Sequence, residues 1–200
     1  MGTRMRLMVA AAALIVLGAG SAGAAGPLDH PGFTKTLTCT ACHGAGGNSP
    51  SSTMPILAGM NAGYFKKQIQ DYAAGKRPSP EMEPYAKQVL QLGVDDIAAF
   101  FAAQPWRPTP MVGEPAAIER GRAASTPCVV CHGRDGKGDA GKGIPTIAGQ
   151  APGYLVEQMA LFKQDRRNPG DPTLQAVKAL MKTIPDSSFP DLAAYYSSLR

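Results

Sequence analysis

The sequence predicts an all-α protein made of two tandem copies of one helical domain. The first reason is an internal repeat, in which the segment around Cys39 recurs around Cys128 at an offset of 89 (128 − 39 = 89). The second is the helical spacing of apolar residues in the corresponding segments 61–75 and 152–166. The third is that no segment has the alternating pattern of a strand. Together they predict two similar helical domains.

Residues 1–25 have the pattern of a secretory signal peptide. Arg4 and Arg6 precede an apolar run at 7–20, and small residues up to Ala25 offer a cleavage site. The apolar run is shorter than the ~20 residues of a membrane-spanning helix, and an uncleaved anchor is the alternative. The leader predicts export to the periplasm.

Proline separates the two copies. Three prolines between positions 105 and 110 oppose a helix and favour an extended, stiff connector. We place the first domain at 26–104, a Pro-rich linker at 105–112 and the second domain at 113–200.

Each copy repeats one order of elements: a helix, a cysteine segment, a Gly-rich loop, a middle helix, a further loop and a terminal helix. The terminal helices, 95–104 and 190–199, have acidic residues at their starts, which suits the helix dipole. The Gly-rich loops at 44–52 and 133–143 do not fit the phosphate-binding pattern G-x-x-x-x-G-K-[ST].

Two C-x-x-C-H pentapeptides contain all four cysteines and two of the three histidines. This pattern is typical of c-type haem attachment, in which two thiols bind one porphyrin and the adjoining imidazole binds its iron. The sequence therefore predicts two covalent haem c groups. The predicted attachment residues are Cys39, Cys42, Cys128 and Cys131, and the predicted axial histidines are His43 and His132.

A redox dithiol and a four-thiolate zinc site are the two other interpretations of the cysteines. A redox dithiol needs no adjoining histidine, and a single four-thiolate zinc site does not suit pairs about ninety residues apart, since the usual gap is ~15–20 residues. The charge also argues against a nucleic-acid partner, since 20 basic residues face 15 acidic ones and no basic cluster stands beside an aromatic platform.

The sixth ligand of each iron follows by elimination. The remaining histidine, His30, cannot serve two irons, and methionine is the usual alternative in electron carriers. In the repeat, Met54, Met60 and Met159 each stand opposite a residue other than methionine, so none of them needs to bind iron. A fourth methionine, Met111, lies in the linker. Met82 and Met181 remain as predicted ligands. The alternatives are an exposed loop residue for Met82 and a helical apolar stripe for Met181.

Further residues are candidates for supporting each haem. The carbonyls of Pro55 and Pro145 are placed to accept the Nδ1–H of the two axial histidines. Four polar side chains are candidates for the haem propionates: Tyr64, Arg77, Tyr154 and Arg167. The alternative is that the arginines are solvated helix ends and the tyrosines belong to the core.

The repeated motifs, the Ala-Gly pairs, the Gly-Tyr pairs and the final D-[IL]-A-A-[FY]-[FY] segments resemble the dihaem cytochrome c4 family over essentially the whole mature chain. The second copy departs from the family pattern at 165–178 and 184–188. The resemblance implies two class I cytochrome c domains, each folded around a covalently attached haem, with His/Met ligation and a pseudo-twofold arrangement.

The resemblance further implies a periplasmic electron carrier rather than an enzyme, soluble or loosely held at the inner membrane. It would pass electrons from a quinol-oxidising complex to a terminal oxidase or reductase. The alternatives are the cytochrome subunit of a periplasmic dehydrogenase and a dihaem oxidoreductase with one open haem site.

Overall fold

Nine α-helices account for about half of residues 27–200, which are the residues that the computed structural model describes. The predicted signal peptide, 1–25, lies outside them. Four helices precede the linker: α1 (Leu37–His43), α2 (Ala62–Ala73), α3 (Met82–Leu92) and α4 (Val94–Ala103). Five follow it: α5 (Pro115–Ala124), α6 (Val129–His132), α7 (Pro152–Lys163), α8 (Gln175–Thr183) and α9 (Phe189–Ser198). The all-α prediction is confirmed.

The apolar core is divided between the two copies, with one cluster on each side of the predicted linker. In each cluster a middle helix, α2 or α7, packs against a terminal helix, α4 or α9. Ile97 and Leu192 occupy equivalent positions of the terminal helices and are completely buried. None of the helices within residues 27–200 combines the length and the apolar character needed to cross a membrane.

A glycine in each half allows the chain to cross its terminal helix at close range. A Cβ on Gly32 would lie 2.2 Å from the carbonyl oxygen of Asp96, and one on Gly121 would lie 1.9 Å from that of Asp191. Both distances are far below a van der Waals contact, so the crossings require glycine. The same crossing is therefore built twice.

The helices α3 and α8 correct the sequence-based plan, which had a loop before each terminal helix. Only Ala86 and Val89 are buried in α3, and only Lys178 and Met181 in α8. The prolines of these segments explain the difference, since proline opposes a helix interior but is tolerated in the first turn, where Pro84 of α3 lies, or just before the helix, where Pro172 lies.

The linker lies against both halves. The side chain of Trp106 lies 3.0 Å from where a Cβ of Gly59 would stand and 2.5 Å from where one of Gly149 would stand. Both glycines have positive φ, 69° and 60°, which favours glycine for a second reason. The backbone N–H of Thr109 also donates to the carbonyl of Gly149 (2.7 Å). The connector thus fixes the turns that precede both middle helices.

Candidate haem-binding sites

The two C-x-x-C-H segments have nearly the same backbone geometry. His43 is the last residue of α1 and His132 the last of α6. The following glycines, Gly44 and Gly133, have φ of 76° and 75°, and the N–H of each donates back to a carbonyl of its helix. The glycine ends each helix directly after the histidine, so in both copies the imidazole stands at a helix C-terminus.

Two observations on the cysteines oppose the redox-dithiol and the zinc-site interpretations of these segments. Burial raises the pKa of the Cys39 and Cys128 thiols, whereas a reactive dithiol depends on a lowered thiol pKa. Within residues 27–200 no three side chains from His, Cys, Asp and Glu come together as a metal cluster, so the two cysteine pairs do not form one zinc site.

Each imidazole is oriented by a proline carbonyl. Nδ1 of His43 lies 2.8 Å from the carbonyl oxygen of Pro55, and Nδ1 of His132 lies 3.0 Å from that of Pro145. Burial lowers the pKa of both histidines, and the carbonyls act in the opposite direction. A neutral ring that donates from Nδ1 keeps the lone pair of Nε2 for a metal, so both rings have the form that binds iron.

A cavity of about 400 Å³ opens beside His43. Its wall contains Cys39, Cys42 and the predicted ligand Met82, together with apolar residues of the first core; among these are Leu57, Phe65, Ile69 and Val89. Its size and apolar lining are those of a cofactor pocket. The structure thus brings the predicted histidine and methionine of the first half to one cavity.

The predicted ligand of the second half has a different setting. Met181 is the seventh residue of α8, is 6% exposed and belongs to the second core together with Cys128. Met82 is the first residue of α3 and is only half-buried. His30 lies in the first half, where its Nδ1 accepts from the N–H of Gly32 (3.0 Å).

Arg77 crosses from the first half to the second. Its Nη1 donates to Oε1 of Gln68 in its own half (2.8 Å). Its Nη2 donates to the hydroxyl of Tyr154 (2.8 Å) and to Oε1 of Gln158 (2.7 Å), both on α7. The side chain is 2% exposed, so the prediction's alternative of a solvated helix end is wrong.

Arg167 repeats the arrangement in the opposite direction. Its Nη1 donates to Gln158 (2.8 Å), and its Nη2 donates to the hydroxyl of Tyr64 (2.9 Å) and to Gln68 (2.9 Å) on α2. It is 5% exposed. The glutamines Gln68 and Gln158 occupy equivalent positions of the repeat (158 − 68 = 90), and a glutamine shared by both middle helices is the sequence signal that could have indicated this network.

The buried arginines supply a test of whether the site fits a haem. Nε of Arg77 and Nε of Arg167 are buried without a hydrogen-bond partner, and the side chains that the two guanidinium groups contact in the described chain are neutral. Buried charges and donors of this kind are stable only when they are paired. Haem propionates carry the charge and the acceptor atoms that are missing here, so the residues fit the cofactor.

Comparison with known proteins finds cytochromes. A family model described as Cytochrome c matches residues 118–200. Cytochrome c4 of Pseudomonas aeruginosa is 33% identical over 198 residues, covering 94% of this chain and 94% of that protein. A thiosulfate dehydrogenase electron acceptor of Stutzerimonas stutzeri is 31% identical over 174 residues, covering 82% of this chain and 79% of that protein. The crystal structure of reduced recombinant cytochrome c4 from Pseudomonas stutzeri is similar with a TM-score of 0.75 at 28% identity, covering 84% of this chain and 96% of the other.

Proposed function

We propose a specific role for this chain, which belongs to the cytochrome c4 family of electron-transfer proteins: it carries electrons in the periplasm from a quinol-oxidising complex to a terminal oxidase or reductase. The observation that carries the proposal is the pair of haem motifs with matched backbone geometry, one in each half, connected through a buried arginine network. A bound haem supplies the one-electron redox centre.

The proposed sites follow the motifs. Two haem c groups are attached through the four cysteines, and His43 and His132 bind iron on one side. Pro55 and Pro145 fix the imidazole rings through their carbonyls. Met82 is the proposed sixth ligand of the first haem: it lines the cavity beside His43, whereas Met54 and Met60, which also line it, flank residues 55–59, the segment whose Pro55 carbonyl binds His43. For the second haem the sequence predicts Met181, and whether a methionine binds this iron depends on how α8 aligns with α3.

The arginine network has two proposed roles. Arg77 and Arg167 bind propionates through the Nε atoms that lack partners, which compensates four carboxylate charges in part. Their other nitrogens hold the facing half through Tyr154, Gln158, Tyr64 and Gln68. Each arginine therefore joins one haem site to the opposite half, which keeps the two redox centres at a fixed separation.

Reduction and reoxidation of the purified holoprotein test the role. We expect membranes that contain a quinol-oxidising complex to reduce both haems, and membranes that contain a terminal oxidase to reoxidise them. The matched control is the variant Cys128→Ala/Cys131→Ala, which is expected to accept half as many electrons per chain. A holoprotein that neither type of membrane reduces or reoxidises would contradict the proposal.

A second role is favoured by one comparison, the similarity to a thiosulfate dehydrogenase electron acceptor over 82% of this chain. In that role the protein takes electrons directly from a periplasmic dehydrogenase. Rapid reduction by a purified dehydrogenase with its substrate, together with slow reduction by quinol-oxidising membranes, would favour this second role over the first.

A further inference from the structure

The starts of α3 and α8 align at an offset of 92 residues, whereas the middle helices α2 and α7 align at an offset of 90 (158 − 68 = 90). Ser79-Pro80-Glu81-Met82 stands opposite Asp171-Pro172-Thr173-Leu174 (174 − 82 = 92). Oγ of Ser79 accepts the backbone N–H of Met82 (3.2 Å), and Oδ1 of Asp171 accepts that of Thr173 (2.9 Å). A polar cap followed directly by proline begins the segment in both halves. This register places Leu174 where the first half has Met82.

The burial of the two helices agrees with the same offset. Ala86 and Val89 are the buried residues of α3, at 0% and 5% exposure. Their counterparts at an offset of 92 are Lys178 and Met181, which are the buried residues of α8, at 3% and 6%. Met181 therefore occupies the position of Val89, two helical turns beyond the position of Met82.

Aligning the two halves on their terminal helices, α4 and α9, leads to the same conclusion about the position of Met82. Ile97 and Leu192 are equivalent at an offset of 95 (192 − 97 = 95), and this offset places Val177 opposite Met82 (177 − 82 = 95). Leu174 and Val177 are both aliphatic. Neither side chain has an atom that can ligate iron, whereas the thioether of methionine does.

Met159 and Lys178, two other side chains of the second half with donor atoms, are placed elsewhere. Met159 lies on α7 opposite Ile69, which is a wall residue of the first cavity. Nζ of Lys178 is buried and bound to the carbonyl of Asn168 and to Asp165 (2.6 Å). Neither side chain stands at the position that Met82 has in the first half.

From this alignment we propose that the second haem iron has no methionine ligand. His132 is then the one protein ligand of this iron, and its sixth coordination position is open to a small exogenous ligand. The inference rests on the proposed attachment of two haems. A ferrous iron with one imidazole ligand and an apolar residue opposite accepts a neutral diatomic molecule such as carbon monoxide. The two haems of this chain then differ in kind, one closed and one open.

Optical spectra of the holoprotein test the inference, with haem content per chain measured first. We expect Met82→Leu to abolish the far-red methionine–iron band of the oxidised protein, and Met181→Leu and Met159→Leu to leave it unchanged. Leucine conserves the volume of methionine, so each variant should fold. We also expect the reduced wild type to bind one carbon monoxide per two haems.

A gain of ligand provides the complementary variant. Leu174→Met, or Val177→Met in the alignment of the terminal helices, should add a second methionine–iron band about equal to the first and abolish carbon monoxide binding. The inference is overturned if Met181→Leu or Met159→Leu halves the band, if the wild type binds no carbon monoxide, or if neither Leu174→Met nor Val177→Met gains a band. One haem per chain would instead overturn the proposed dihaem function itself.

Discussion

The two halves of the molecule agree on the histidine side of each haem motif and differ on the opposite side. The helix ends at His43 and His132 share the same glycine conformation and the same bond to a proline carbonyl. Both alignments of the segment that carries Met82 in the first half place an aliphatic residue, Leu174 or Val177, at the corresponding position of the second. A short contiguous motif is retained through duplication as one unit, whereas a ligand on a separate helix depends on the register of that helix.

The largest effect is expected from removing one haem, which compares the halves directly. In Cys39→Ala/Cys42→Ala the first half should lose its haem, and in Cys128→Ala/Cys131→Ala the second half should lose its own. Each variant should retain half of the haem absorbance, and the far-red methionine band should vanish only in the first. The pyridine haemochrome assay and the oxidised spectrum measure both quantities.

The outcome of this pair of variants distinguishes two kinds of asymmetry. Equal loss of the methionine band in both variants would mean that the halves have equivalent ligands, and the register argument for α8 would be wrong. Circular dichroism of the same samples is the control, because α7 and α9 should lose helicity only where the second haem is missing.

Removing either buried arginine should have the next largest effect. Arg77→Met removes the donor of the Tyr154 hydroxyl and one of the two donors of Gln68 and of Gln158, which keep Arg167, and Arg167→Met does the same in reverse. Each variant loses three hydrogen bonds to a charged group; at ~1.5 kcal/mol each, the lower end for such bonds because both amide oxygens keep one donor, we expect a loss of about 4–5 kcal/mol in unfolding free energy. Urea unfolding measures it.

The exposed Arg134→Met is the matched control and should change the free energy of unfolding little. Since the network is crossed, the two buried variants should be destabilised equally. A loss confined to one of them would show that the symmetry of the contacts is not a symmetry of energies.

The sequence was sufficient for the middle and terminal helices, because those depend on wide apolar faces. Its two contiguous motifs predict the attachment sites, which stay a prediction. It was not sufficient for the network between the halves. Gln68 and Gln158 are visible as a repeat, but which face meets the other half depends on how the halves pack. The prediction also lacked α3 and α8, whose starts carry prolines, and without the alignment of these two helices it treated Met82 and Met181 as equivalents.

Adding a methyl group at the helix crossings should have an intermediate effect. Gly121→Ala and Gly32→Ala each force a Cβ against a backbone carbonyl, at 1.9 Å and 2.2 Å before relaxation. Overpacking of this kind costs ~1–3 kcal/mol, and we expect the larger loss at Gly121 because its contact is closer. Thermal unfolding of the holoprotein compares them.

Gly63→Ala is the control for the loss of glycine itself, because its Cβ would meet only the side-chain oxygen of Asn61, at 3.2 Å. It should be neutral or slightly stabilising, since alanine is the better helix former. If Gly32→Ala and Gly121→Ala were equally harmless, the crossings would not be the rigid contacts that the distances imply.

The smallest effect is expected at the ion pairs that tie each terminal helix to the start of its half. Lys35 pairs with Asp96, and Arg120 holds Asp191 through Nε and Nη2, at 2.7 Å each. The hydrogen bonds from Lys35 and Arg120 are the main cause that lowers the pKa of these two aspartates. A bidentate guanidinium fixes a carboxylate more firmly than an ammonium does, so Asp191→Asn should lower the melting temperature slightly more than Asp96→Asn.

The pH dependence of the melting temperature tests whether these two carboxylates stabilise the folded protein. A carboxylate whose pKa is lowered by folding contributes stability above the pKa of the unfolded chain, ~3.9 for aspartate, and loses it as the pH falls through the folded value. The gap in melting temperature between wild type and either variant should therefore be present at neutral pH and shrink below about pH 4. Added salt should also reduce it, because both pairs are exposed. A gap that grew on acidification would mean that folding raises the pKa of these aspartates instead of lowering it.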